Sequence, residues 1–367
     1  MSGDGEGLDA ATRAWLTERV FGGLRRWRAH PLPGGFTNEM VLLTGPDDER
    51  YVLRRYRPSA TRVPRNPCAV ELAVIRRAAR AVPVADVVAA DPHGRATGRP
   101  ALVYRYVDAS PLSEILDAPP PGEASDASPP REGAGTSPLG HASDTSPLSE
   151  GPDTSTADPP GLGHAVGAVL AALGTVTLPG PGLFPDAALV PADGRAPTAD
   201  LPGFVEHCLA TGRADGPLTA RDGAALRDLA RRTAHRAAAV ADARHLVHGD
   251  FNPKNVLVTR RAGRWTVACV LDWELSFSGS PLVDVGNMLR FAHAYPPSFT
   301  DGFTAGFRDG GGHLPPGWRS LCRTLDLYAL ADILTAPPDA AYFARVRSVL
   351  LRHLAEDGGP SESAHHP

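Results

Sequence analysis

The 367-residue sequence is poor in cysteine. Cys68, Cys208, Cys269 and Cys322 lie far apart with no CxxC pair. That excludes a disulfide framework or a thiolate metal site and predicts buried thiols in a reducing compartment. No run of 18 apolar residues occurs, so no transmembrane helix and no membrane partner are expected. The stretch Met1 to Asp9 is rich in glycine and acid and lacks the basic and apolar regions of a signal peptide, which points to a cytoplasmic protein. Charge of one sign is also missing. The formal net charge is −4, and the most arginine-rich stretch, 19–28, is short, so no nucleic-acid partner is expected. Lysine is almost absent: Lys254 is the single one among 37 basic residues.

What is present divides into two regions. Residues 8–28 have helical spacing, followed by a break at Pro31 to Gly35. Met40–Thr44 and Tyr51–Tyr56 are predicted strands joined by Gly45-Pro46-Asp47-Asp48. Asn66-Pro67 supplies a cap and a first-turn proline for a helix running to about Arg80. Val84–Ala90 and Ala101–Val107 are two further strands. Residues 118–161 are rich in Pro, Ser, Gly, Asp and Thr and repeat Ala-Ser-Asp and Pro-Leu-Ser-Glu. Such a segment cannot bury enough apolar surface to offset its ordering entropy, and no secondary structure is assigned to it. From Leu162 helical periodicity dominates, over 162–175, 203–211, 220–241, 284–294, 300–308, 318–335 and 339–354. One hairpin, Asn255–Thr259 with Trp265–Leu271, interrupts it. The reading is an α+β chain: residues 1–107 a sheet-rich lobe with a leading helix, 108–161 an exit segment and insert, 162–367 a helical lobe.

The densest polar segment is His248-Gly249-Asp250-Phe251-Asn252-Pro253-Lys254-Asn255. The second hairpin strand then ends in Asp272-Trp273-Glu274. Two carboxylates and an amide oxygen thus emerge from adjoining strand ends. Hard oxygen donors of this kind suit Mg²⁺, which fills the rest of its shell with phosphate oxygens and water. Asp250 could take a proton from a hydroxyl while Asn255 and Asp272 hold the metal.

HxDxxxxN, a strand, and Asp-Trp-Glu resemble the catalytic core of the aminoglycoside phosphotransferase and choline kinase family, small-molecule relatives of protein kinases. The resemblance runs from about Leu32 to Leu354, with the insert as an addition. It implies a two-lobed protein-kinase-like fold with a small antiparallel-sheet N-lobe and a mostly helical C-lobe. It implies Asp250 as catalytic base, His248 as support of the catalytic loop, and Asn255 and Asp272 as Mg²⁺ ligands. ATP would be held by the loop beginning at Gly34-Gly35, by Arg54 paired with Glu71, by the backbone of the hinge at Tyr104, Arg105, Tyr106 and Val107, and by Leu257 beneath the adenine. Asp284 would brace the catalytic loop. Lys254 either neutralises the transferring phosphoryl group or is a loop-surface cation. Glu274 either lies near the metal or has a structural hydrogen-bonding role.

The chain departs from the family at three places: Arg54 stands for a lysine, the glycine loop keeps only Gly34-Gly35, and Ser280 interrupts a Gly-Asp-Pro. Arg54 is not a neutral exchange, because a guanidinium is a planar fork that stays charged. The implied activity is ATP-dependent phosphorylation of a small-molecule hydroxyl, with an aminoglycoside or other antibiotic-like acceptor first. A metabolic amino alcohol or sugar, or a nucleotide-binding scaffold without activity, are the alternatives. A protein kinase is disfavoured, because no Ala-Pro-Glu segment occurs and only about a dozen residues separate Asp272 from Asp284.

Overall fold

The computed structural model describes residues 7–24, 26–32, 38–57, 66–117, 158–192, 194, 196–213, 216–335, 337 and 339–358. Gly34, Gly35 and residues 118–157 lie outside these. Helix α1 (Ala10–Arg19) is capped by Asp9, whose Oδ1 accepts from the Thr12 N–H at 2.8 Å. Strands β1 (Arg28–Pro31), β2 (Glu39–Thr44), β3 (Arg50–Arg55), β4 (Val87–Asp91) and β5 (Ala101–Arg105) form one antiparallel sheet in the order β1-β2-β3-β5-β4. Helix α2 (Pro67–Ala78) starts as the sequence predicts, with Asn66 Oδ1 accepting from the Ala69 N–H at 2.9 Å and Pro67 in the first turn.

Strand alternation distributes this sheet between two cores. Leu42, Val52, Leu102 and Tyr104 pack with Leu72 and Ile75 of α2. Leu43, Leu53 and Val103 pack with Leu16, Phe21 and Trp27 on the other face. Both faces are therefore covered. Arg54, on the Val52 face, is turned towards α2, and Arg55 is turned towards Asp9 and Glu39.

The helical lobe follows a short strand β6 (Ser110–Pro111) and helix α3 (Leu112–Asp117). Its helices are α4 (Pro159–Leu173), α5 (Leu201–Thr211), α6 (Ala220–Ala238), α7 (Leu282–Leu289), α8 (Pro297–Asp309), α9 (Trp318–Thr335) and α10 (Ala340–Gly358). Between them run β7 (Gly182–Leu183), β8 (His245–Val247), the hairpin β9 (Val256–Arg261) and β10 (Arg264–Val270), and β11 (Phe277–Gly279). The hairpin turn is Ala262-Gly263, both at positive φ (49° and 76°), the geometry that matches strand twist. The two remaining sheets, β10-β9-β6 and β7-β11-β8, carry the polar segment of interest on their connections.

Several predicted boundaries move. The helix expected over 8–28 ends at Arg19, because Gly22 and Gly23 take positive φ (56° and 90°) and fold Trp27 back, where its Nε1–H donates to Thr17. Arg28–Pro31 instead adds a sheet-edge strand, a position where the missing proline N–H costs nothing. The insert read as extending to Gly161 gives way to α4 at Pro159. Asp158 caps that helix through the Gly161 N–H, a local signal that the surrounding composition obscured. The strand predicted at 84–90 begins at Val87, and the one at 101–107 ends at Arg105. The helix predicted over 284–294 spans Leu282–Leu289, with a separate single turn at Ala292–Ala294. All four cysteines are free and buried, as expected.

Candidate active site

The catalytic-loop segment crosses from β8 to β9. Asp284, fully buried at the start of α7, holds its root: Oδ2 accepts from the His248 N–H at 2.7 Å and Oδ1 from the Gly249 N–H at 2.9 Å. Burial pushes the Asp284 carboxyl up to about 7, against the pull of those two donors. Gly249 sits at φ 84°, and a Cβ there would overlap the Leu275 carbonyl. His248 is buried. Its Nε2 bonds the Leu271 carbonyl at 2.8 Å and its Nδ1 accepts from the Asp250 N–H at 3.2 Å. Burial lowers its pKa to about 4, so it is neutral at ordinary pH and ties loop to strand end.

Asp250 is held by two amides. Asn252 Nδ2 donates to Oδ1 at 2.8 Å and Asn255 Nδ2 to Oδ2 at 2.9 Å. Burial raises its pKa to about 6, partly offset by the Arg290 charge. Asn255 also donates to the Asp250 carbonyl at 3.0 Å, and its own carbonyl accepts from the Leu271 N–H at 2.8 Å. That bond sets the loop beside Asp272, which adopts left-handed φ 64°, a conformation aspartate tolerates better than most residues.

Arg54 joins the two lobes at this point. Its Nη1 bonds Glu71 Oε1 at 3.3 Å and Asp272 Oδ1 at 2.9 Å, and its Nη2 bonds Glu274 Oε2 at 2.9 Å. Glu71 is buried, not on a solvated helix face, and accepts from the Tyr56 hydroxyl and, at 3.3 Å, from Tyr104. Burial raises the Glu71 carboxyl, while the surrounding carboxylates hold Arg54 firmly in its charged form. Glu274 also accepts from Asn38 Nδ2 at 2.9 Å, linking β2 to the Asp-Trp-Glu turn across 236 positions of sequence.

The model of a phosphotransferase enzyme family matches residues 28–128 and 144–322. The chain belongs to that family. Solved structures agree in fold. A thermostable mutant of aminoglycoside phosphotransferase APH(4)-Ia, in ternary complex with ADP and hygromycin B, superposes with TM-score 0.60 at 17% identity, covering 96% of this chain and 100% of that one. Macrolide 2′-phosphotransferase MphH from Brachybacterium faecium gives 0.52 at 18%, covering 93% and 96%. A choline/ethanolamine kinase family protein from Mesorhizobium loti gives 0.54 at 18%, covering 94% and 97%. No curated protein matches. No helix among the described residues is long and apolar enough to cross a membrane.

In this member of the phosphotransferase family the other expected site residues are placed as follows. Leu257 is buried in β9, opposite Pro111 and Cys269. Tyr104 points its side chain inward to Glu71, so only its backbone faces the strand ends. Arg105 is exposed and near Asp86, at 3.5 Å, and Tyr106 lies under the Arg50 guanidinium, 4.1 Å from its ring centre. The Arg105 and Tyr106 N–H groups are already bonded to the Asp86 and Arg50 carbonyls, at 2.8 and 2.9 Å. Among the described residues no backbone carbonyl accepts from the Val107 N–H. Lys254 has its Nζ 5.3 Å from the Tyr342 ring centre.

A hard divalent cation fits the oxygens that remain. With its Nδ2 committed to Asp250, Asn255 has its Oδ1 left, and Asp272, 39% exposed, has one oxygen beyond the one bonded to Arg54. Among the described residues no group of three or more His, Cys, Asp or Glu could hold a metal. Two such oxygens suit a cation that takes few protein ligands and completes its shell elsewhere. Sequence reasoning missed Asn38, Tyr56 and Arg290. Each acts on the site through a partner distant in sequence. Asn252 lay inside the motif and carried a readable signal as a second amide beside the base.

Proposed function

We propose that the protein transfers the γ-phosphoryl group of ATP to a hydroxyl of a small molecule, in the cytoplasm. The observation that carries this reading is the Asp250 carboxylate, fixed by two amides on a loop braced by Asp284 and bonded, through Asn255, to the strand end that presents Asp272. Phosphoryl transfer asks little covalent chemistry of a protein and depends on positioning and charge neutralisation. Asp250 orients the acceptor hydroxyl and receives its proton as the new O–P bond forms and the bond to the β-phosphate oxygen breaks. Arg54, anchored by Glu71, presents cationic charge to the phosphates. Asn255 and Asp272 would hold Mg²⁺, which supplies electrostatic neutralisation of phosphate oxygens when bound. The Val107 N–H supports the adenine edge and Leu257 its floor.

The acceptor we infer is a hydroxylated, antibiotic-like metabolite, with a metabolic amino alcohol or sugar as the second class. The structural neighbours include a complex with hygromycin B, a macrolide 2′-phosphotransferase and a choline/ethanolamine kinase family protein. A nucleotide-binding scaffold is the competing reading, and the contact of Arg54 with Asp272 is the observation in its favour. ADP release from Mg·ATP across a panel of hydroxylated acceptors separates the two. Asp250→Asn should lower turnover by ~10²–10⁴-fold with Mg·ATP binding retained, the usual worth of a positioned base. Unchanged turnover in that variant would exclude Asp250 as the base.

A further inference from the structure

Near Asp250 the helical lobe presents cations and rings. Lys254, half-buried, lies over Tyr342. Arg345, on the same helix α10, lies over Phe291 with its Cζ 4.8 Å from the ring centre. Neither is ion-paired among the described residues. Lys254 and Arg345 are close enough to repel, and Lys254 also feels Asp250, Asp339 and Asp117. Tyr295 feels Arg290, Arg345, Asp117 and Tyr342, so these groups share one wall.

The carboxylates on that wall are mostly committed. Asp326 is spent on Arg290 through Nε and Nη2, at 2.6 to 3.1 Å, and both are buried. Asp339 caps α10 by accepting from the Tyr342 N–H at 2.7 Å. Asp117 is exposed at the end of α3. Among the described residues no carboxylate lies within ion-pair distance of Lys254 or Arg345, although Asp250, Asp339 and Asp117 act on Lys254 from further off. Lys254 is half-buried and Arg345 exposed, and Arg and Lys are the donors that bind carboxylate and phosphate oxygens.

Resting on the phosphotransfer reading, we propose that the acceptor bears an anionic group, held by Lys254 and Arg345 while its hydroxyl lies on Asp250, and that polycationic aminoglycosides are rejected. Such an acceptor is a hydroxy acid or an acidic sugar, with a ring or chain set against Tyr342 and Tyr295. A polyamine would meet Lys254 and Arg345 as like charges, a repulsive device as important to selectivity as any attraction.

The test is equilibrium binding to protein saturated with Mg·AMP-PNP, with glucosamine, glucose and glucuronate as a ring-matched series and kanamycin as polycation. Glucuronate should bind tightest and kanamycin least. Arg345→Glu should weaken glucuronate by about tenfold or more and improve kanamycin, while Arg345→Lys keeps the wild-type order. Tighter binding or phosphorylation of kanamycin by the wild type overturns the proposal. So does no preference for glucuronate within the ring series, or an order indifferent to Arg345→Glu. These outcomes are independent of the phosphotransfer reading, which fails if Mg·AMP-PNP does not bind, if no acceptor in the panel elicits ADP release, or if ADP release survives Asp250→Asn.

Discussion

Arg54 shows why a guanidinium is not a lysine in another form. One nitrogen serves Glu71 and Asp272 and a second serves Glu274, a division that a single ammonium cannot make. Removing the charge leaves three carboxylates facing one another. Arg54→Met should therefore cost about 3–5 kcal/mol, as breaking a buried pair does, measured by urea unfolding. Glu274→Gln keeps an oxygen for Asn38 and Arg54 and should cost clearly less; equal losses would show that Glu274 and Arg54 act as one unit. His248 provides a pH signature. Its folded pKa, about 4, lies below the ordinary 6.5, so between these values the unfolded chain binds a proton that the folded one refuses. Its contribution is present above pH 6.5 and is lost as the pH falls towards 4, by about 1.4 kcal/mol per pH unit. The stability gap between wild type and His248→Asn should thus widen as pH rises from 4 to 6.5. A constant gap would show that His248 titrates normally in the folded protein.

At the scale of elements, the crossing of α4 and α8 depends on four glycines. A Cβ at Gly163 or Gly167 would overlap the carbonyls of Phe299 or Phe303, and one at Gly302 or Gly306 those of Pro160 or His164. The two backbones touch, and the glycine spacing of four on each helix puts the small residues on one stripe. Gly167→Val should cost about 1–3 kcal/mol by overpacking, seen as a lower urea midpoint. Gly180→Ala, where a Cβ would meet nothing within 4 Å, should stay within about 0.5 kcal/mol. Both helices were visible as periodic stretches, and Asn66-Pro67 and Asp158-Pro159 are helix starts written locally. The end of α1 was not visible, since the apolar period continues through Val20 and Leu24. Only the positive φ of Gly22 and Gly23 turns Trp27 back onto the sheet.

Across the whole molecule, the lobes are tied by contacts that bypass the hinge. Arg54 reaches Asp272 and Glu274, and Asn38 reaches Glu274, so the sheet of the first lobe is bonded to the loop after β10 of the second. Residues 118–157 separate α3 from α4 and contain none of the groups named in the site. Replacing them with a short Gly/Ser linker should leave ADP release intact. A large loss on that replacement would assign the segment a part in acceptor or nucleotide binding. This experiment is best run beside the acceptor series, since Asp117 stands at the segment's start.

The amino-acid sequence alone determined the order of the longer helices and of the β2–β3 and β9–β10 hairpins, the α+β division and the spacing of His248, Asp250, Asn255, Asp272 and Asp284. Caps, turns and periodicity depend on neighbours a few residues away, and a loop motif is contiguous by definition. Tertiary structure decided what each charge meets. It buried Glu71 beneath Tyr56 and Tyr104, gave Arg54 two further carboxylates in Asp272 and Glu274, spent Arg290 on Asp326 and turned Lys254 towards Tyr342. Those partners lie from 15 (Tyr56 to Glu71) to 220 positions (Arg54 to Glu274) apart in the chain. Which of them meet is settled by how sheet and helices pack, and local spacing carries no record of it.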